Sequence, residues 1–143
     1  MNVDSILKNK GRDVVTIAAD ATINDAVLLL RRKRIGALVI GPNGGGVEGI
    51  LSERDIVRAL AEYGARVFDL PVSALMTRNV ITCAPEDSVS GVMAEMTARR
   101  IRHLPVVEGG ALIGIVSIGD VVKSHIDEVE HEAKSLRQFI ASA

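Results

Sequence analysis

Two stretches place a serine and an aspartate three residues apart: Ser52-Glu53-Arg54-Asp55 and Ser117-Ile118-Gly119-Asp120. The surrounding pattern marks each as the start of a helix, where a hydroxyl and free amides favour an anion and a carboxylate accepts charge-assisted hydrogen bonds. The same spacing is an ordinary capping box, so by itself it says only that two helices begin there. Positive charge stands close to both, as Arg54 in the first stretch and as Arg102-His103 upstream of the second. Other chemistry is sparser. Cys83 is the single cysteine, His125 and His131 are six apart and do not share a helix face, and no His, Cys or carboxylate set has metal-ligand spacing. With no nucleophile, base and oxyanion set either, the sequence predicts no catalytic residues, no metal and no enzyme.

The elements that position these residues come in two copies. Val3 to Lys8 reads as a short helix or turn, broken by Gly11-Arg12 before a β-branched strand, Val14 to Ile17. Thr22 and Asp25 form a capping box for a helix with Ile23, Ala26, Val27 and Leu30 on one face. The Arg31-Arg32-Lys33-Arg34 cluster closes that helix and reads as a solvated end. Ile35 to Ile40 and Val47 to Leu51 are strands around Pro42 to Gly46. No Gly-Lys-Ser/Thr follows those glycines and a strand comes next, so they make a hairpin turn, not a phosphate loop. Helix Ile56 to Tyr63 ends at Gly64. The plan then restarts with a short helix Val72 to Met76, a strand Asn79 to Thr82, and a helix capped by Ser88 with Val89, Val92, Met93 and Met96 inward. Strands Ile101 to Val107 and Ala111 to Val116 complete it. Equivalent residues are 66 apart up to the hairpin turn and 65 apart beyond it, the register of a duplication with one slip in a turn. The expected fold is α+β: two β-α-β-β-α repeats (3–64 and 65–126) packed about a pseudo-twofold axis, followed by a C-terminal helical extension (127–143).

Composition narrows the function classes. The 143 residues are 48% hydrophobic and 24% charged, enough for a packed core, and the net charge of -1 provides no overall field for nucleic acid. Phe68, Phe139 and Tyr63 are the only aromatics, so platforms for stacking bases are nearly absent. No apolar run approaches the ~20 residues of a membrane span. Met1 to Asp4 lacks the basic start and apolar stretch of an export signal, and one cysteine allows no internal disulfide. These features point to a soluble protein of the reducing cytoplasm.

The ordered set resembles a tandem pair of CBS domains, the module named after cystathionine β-synthase, as a free-standing Bateman module. The resemblance covers about Val3 to Ile126. It rests on Gly-h-h-Ser-x-x-Asp (h, apolar), present as Gly49 to Asp55 and as Gly114 to Asp120, and on the strand Ile101-Arg102-His103-Leu104-Pro105-Val106. The family implies a non-catalytic sensor that binds an adenosine-containing ligand (AMP, ADP, ATP, NAD or S-adenosylmethionine) between its repeats and regulates a partner protein. By that resemblance Asp55 and Asp120 would accept from the ribose hydroxyls, and Ser52 and Ser117 would hold phosphate oxygens. Arg54, Arg102 and His103 would add positive charge; Thr16 and Thr82 would stand near the adenine edge, with Ile81, Leu104 and Pro105 along the same walls. The copies differ where Gly36-Ala37 stands opposite Arg102-His103 and Arg54 opposite Gly119, which predicts two non-equivalent sites. The alternative is a scaffold that works without ligand.

Past the second repeat, Val122, Ile126, Val129, Ala133, Leu136 and Ile140 follow a 4-3-4-3-4 spacing among charged residues. That narrow apolar face packs either on its own module or on a second subunit, and a homodimer is the expectation.

Overall fold

The computed structural model describes residues 1–42 and 45–142; Asn43 and Gly44, in the expected hairpin turn, lie outside them. In chain order the elements are α1 (Val3–Lys10), β1 (Thr16–Ile17), α2 (Ile23–Lys33), β2 (Ala37–Ile40), β3 (Gly49–Ser52), α3 (Glu53–Tyr63), α4 (Val89–Arg99), β4 (His103–Glu108), β5 (Ala111–Ser117) and α5 (Ile118–Ser142). Two 3-10 segments, Gly64–Asp69 and Val72–Ala74, join the repeats. The architecture is the expected α+β one of two repeats with a C-terminal helix.

In the first repeat β1 runs parallel to β2, and β2 antiparallel to β3. All four β2 residues are buried, because α2 and α3 cover one face and the second repeat covers the other. Thr22 and Asp25 form both halves of the capping box, and Ile23, Ala26 and Leu30 are buried. The helix ends at Arg34, which has φ +56°. A side chain there is strained, while its exposed guanidinium adds no packing. Arg34→Gly is therefore expected to stabilise the protein by about 0.5 to 1 kcal/mol, since relief of the left-handed conformation exceeds glycine's extra freedom when unfolded. Thermal denaturation checks this; a lower melting temperature would contradict it.

The second repeat departs from the expected plan at its first strand. Asn79 to Thr82 is not a strand, and only a parallel bridge between Cys83 and Val106 remains. The cause is Pro105. In the first repeat the Val39 amide donates to the Val15 carbonyl at 3.3 Å, and Pro105, at Val39's position, has no N–H to donate. The flanking bonds survive, Cys83 N to Pro105 O at 3.0 Å and Val107 N to Cys83 O at 2.9 Å. The expected helix at Val72 to Met76 is likewise a single 3-10 turn.

Each repeat's core is completed by the segment that leads into the other. Val3, Ile6 and Leu7 of α1 are buried with Leu104, Val106 and Val116 of the second repeat. Val67, Val72 and Met76, at the start of the second repeat, are buried with Leu38, Ile40 and Leu51 of the first. The signature glycines permit this crossing. A Cβ on Gly49 would stand 2.7 Å from Met76 Sδ and 3.0 Å from the Thr77 carbonyl oxygen, and one on Gly114 would stand 2.7 Å from Leu7 Cδ2. Between the repeats Val14, Val39 and Leu112 form a small shared core, and the Leu112 amide donates to the Gly45 carbonyl at 2.9 Å.

The second Ser-x-x-Asp helix and the tail are one continuous helix of 25 residues, α5. Its first turns pack through Val121, but the apolar face does not fold back: Ile126 is 50% exposed, Leu136 60% and Ile140 65%. Of the two expected packings, the one on its own module is not what the chain adopts. No helix is long and apolar enough to cross a membrane among the described residues.

Candidate ligand cleft between the repeats

The first Ser-x-x-Asp does cap a helix. The Ser52 amide and hydroxyl donate to Asp55 Oδ2 at 2.9 and 3.0 Å, and the Asp55 amide donates to Ser52 Oγ at 3.3 Å. Both bonds onto the carboxylate use one oxygen. Asp55 Oδ1 accepts no hydrogen bond and Asp55 pairs with no cation among the described residues. Capping thus orients the carboxylate and leaves half of it available.

Asp55 lines a cleft of about 880 Å³ built from both repeats, a volume suited to a small-molecule ligand. The first repeat contributes Gly36, Ile50, Ser52, Glu53, Arg54, Asp55 and Arg58; the second contributes Val80, Ile81, Arg99, Arg100, Ile101, Arg102 and His103. Five arginines face two carboxylates there, in a chain whose net charge is -1. The positive charge is therefore concentrated in a concave site, where it attracts anions most effectively. Arg54 Nη1 donates to the Arg100 carbonyl at 3.3 Å and so ties the first repeat's helix start to the end of α4. Arg99 is held by Glu95, one turn earlier on α4.

His103 explains the difference between the copies. A Cβ on Gly36 would lie 3.2 Å from His103 Cε1, so the imidazole fills the space that a side chain at position 36 would need. Gly36 is the counterpart of Arg102, and Ala37 that of His103, so the ring stands against the first repeat's glycine and not against its own counterpart. Burial, then the nearby Lys10 and Arg102 charges, hold the His103 imidazole below its usual pKa near 6.5, against the opposing pull of Glu53 and Asp120. A histidine with a lowered folded-state pKa contributes stability that is complete above about 6.5 and is lost as pH falls toward the folded value. Between pH 7.5 and 5.5 the wild type is expected to lose more melting temperature than His103→Gln; equal losses would contradict a buried neutral imidazole.

The second Ser-x-x-Asp is capped in the same way, with Ser117 N to Asp120 Oδ2 at 2.9 Å and Asp120 N to Ser117 Oγ at 3.2 Å. Its Oδ1 likewise accepts no hydrogen bond among the described residues, but the carboxylate is paired with a cation. Lys10, the last residue of α1, donates to Asp120 Oδ2 at 2.7 Å and to the Ile115 carbonyl at 3.0 Å. Burial raises the Asp120 pKa, but the bonds from Lys10 and Ser117 outweigh it and hold the carboxyl below its ordinary value.

Of the residues singled out by sequence, Ser52, Arg54, Asp55, Ile81, Arg102 and His103 line the cleft. Ser117 and Asp120 are not among the lining residues, although His103, which is, pairs in register with Ser117. The structure does not bring the remaining four to the cleft lining. Thr16 is half-buried in β1 opposite Val39, and Thr82 is exposed. Leu104 and Pro105 are buried, Leu104 in the second repeat's core at 1% exposure, because strand alternation beside His103 points it inward. Sequence reasoning missed Lys10, Arg58, Arg99 and Arg100. Arg99-Arg100 was visible as the counterpart, 66 residues on, of Lys33-Arg34 at the end of α2. Nothing local announces Lys10.

Known proteins share this arrangement. The CBS domain family matches residues 7–62 and again 72–127. The CBS domain-containing protein CBSX3, mitochondrial, of Arabidopsis thaliana is 34% identical over 146 residues, covering 96% of this chain and 71% of the relative. The crystal structure of the CBS-domain containing protein ATU1752 from Agrobacterium tumefaciens superposes with a TM-score of 0.84 at 45% identity, over 87% of this chain and 99% of that one. The CBS domain pair of protein MJ0100, solved in complex with 5'-methylthioadenosine and S-adenosyl-L-methionine, superposes with a TM-score of 0.77 at 28% identity, over 87% and 99% of the two chains. The two family matches coincide with the two copies whose lead-ins cross and whose Ser-x-x-Asp helix starts flank His103. The chain belongs to the CBS domain family, as a tandem pair of CBS domains.

Proposed function

We propose that this CBS pair is a non-catalytic regulatory sensor that binds an adenosine-containing ligand carrying phosphate, AMP, ADP, ATP or NAD, in the cleft between its repeats. The observation that carries this reading is the half-free Asp55 carboxylate beside five arginines in one cleft. A ribose presents two vicinal hydroxyls to a carboxylate oxygen, the arginines receive phosphate, and Ile50, Val80 and Ile81 offer aliphatic surface to a base. The complex of the MJ0100 pair with adenosine-containing ligands supports the ligand class. A thermal-shift panel of AMP, ADP, ATP, NAD and GMP tests it. A ligand at a hundred times its Kd adds about 2.7 kcal/mol to stability, so at least one adenine compound is expected to raise the melting temperature by several degrees. No shift with any of them at millimolar concentration would favour the ligand-free scaffold instead.

The working unit is a homodimer in a reducing compartment such as the cytoplasm, joined along the exposed face of α5. Ile126, Val129, Leu136 and Ile140 make a heptad seam that water would otherwise cover. The double substitution Val129→Glu with Leu136→Glu is expected to give monomers in sedimentation experiments at micromolar concentration, with the fold intact by circular dichroism. A wild type that sediments as a monomer would remove the dimer from the account.

A further inference from the structure

The apolar face of α5 is flanked by charges that its own chain leaves unpaired. In the heptad along the helix, Ile126, Ala133 and Ile140 take the a positions and Val122, Val129 and Leu136 the d positions. Lys123, Glu130 and Arg137 then fall at e, and His125 and Glu132 at g, on the two shoulders of the seam. Lys123, Glu130, Glu132 and Arg137 are exposed, and none of them forms an ion pair among the described residues. A second copy of the same helix complements these shoulders in one direction only.

Resting on the proposed homodimer, we infer that α5 pairs with the α5 of a second copy in parallel and in register. In that pairing each g residue faces the e residue of the partner's next heptad. Glu132 then meets the partner's Arg137 on both sides of the seam, and His125 stands beside the partner's Glu130. The antiparallel pairing that matches the whole apolar face sets Val122 against Ile140, Ile126 against Leu136 and Val129 against Ala133. There e faces e and g faces g, so Lys123 meets Arg137, Glu130 meets Glu130 and Glu132 meets Glu132. Every charged pair repels, and the direction of the dimer is set against it. Because the first turns of α5 pack on the module through Val121, the parallel pair holds both modules at one end of the seam and both C-termini at the other. His103, which lines the cleft, pairs with Ser117 immediately before α5, so the two clefts stand at that same end.

Charge reversal and cross-linking of the full chain test the direction. Arg137→Glu is expected to weaken dimerisation about tenfold in sedimentation, as two attractive pairs become two repulsive ones, and adding Glu132→Arg is expected to restore it. An antiparallel pair would respond in the opposite sense, because the new carboxylate would meet Lys123. Ile140→Cys is expected to join two copies by a disulfide in a glutathione buffer, since equal a positions face each other in a parallel pair. Cys83 is buried and does not compete. In the antiparallel pair the two sulfurs would lie about 27 Å apart along the axis, too far to bond. All three positions are exposed, and circular dichroism checks that each variant is folded. Dimerisation unchanged or tightened by Arg137→Glu, no recovery on adding Glu132→Arg, or no disulfide from Ile140→Cys would each overturn the inference, while a dimeric wild type keeps the homodimer. A wild type that sediments as a monomer would remove both.

Discussion

Gly114→Val is expected to lower the melting temperature by about 10 °C. The first atom of any side chain at this position would stand 2.7 Å from Leu7 Cδ2 and 3.0 Å from Cδ1. Leu7 is 1% exposed and enclosed by the second repeat's core, so it has no open rotamer into which to retreat. Either β5 or α1 must shift, and overpacking of this kind costs up to about 3 kcal/mol. For a domain of this size that corresponds to the stated change in melting temperature, at about 3 to 4 °C per kcal/mol. Leu7→Ala alone costs about 2 to 5 kcal/mol by leaving a cavity. The double variant should lose about 1 kcal/mol less than the sum, because the valine enters the space the leucine vacates. Strict additivity, or an unchanged melting temperature for Gly114→Val, would show that α1 does not lie across Gly114 in solution.

Asp55→Asn is expected to weaken binding of an adenine nucleotide about 100-fold while leaving the fold nearly as stable. Hydrogen bonds to a charged acceptor are each worth about 1.5 to 3 kcal/mol, and the amide replaces a carboxylate oxygen that two hydroxyls would share. The side chain keeps one oxygen for the Ser52 amide, so the cap at α3 persists and its loss is held below about 1 kcal/mol. Calorimetry and a melting curve on the same variant separate the two effects. Unchanged affinity would place the ligand away from Asp55, and an unfolded variant would mean that the carboxylate serves the fold first.

What the sequence revealed, and what it hid, follows from the range of each interaction. Thr22 with Asp25, Ser52 with Asp55 and Ser117 with Asp120 were legible because a capping box is complete within four residues. The α5 seam was legible as a period, although its exposure was not, because a spacing names a face and not its partner. The two glycines of Gly-h-h-Ser-x-x-Asp stood out as a signature, but their cause lies in segments some 27 and 107 positions away in the chain, Met76 and Leu7. Pro105 was in plain view, yet its effect on the expected strand at Asn79 to Thr82 depends on the register that places it opposite Thr82, as Val39 is opposite Thr16. Of the cleft, the residues carried by the two motifs were found and those carried by helix ends were not. Lys10 was hidden most completely, since its partner is 110 residues distant.

A crystal structure of the wild-type protein soaked with AMP tests the central claim most directly. The account predicts ribose hydroxyls within about 3 Å of Asp55 Oδ1 and the phosphate among Arg54, Arg100 and Arg102 in the cleft between the repeats. AMP bound elsewhere on the protein, or a cleft left empty at saturating AMP, would contradict it.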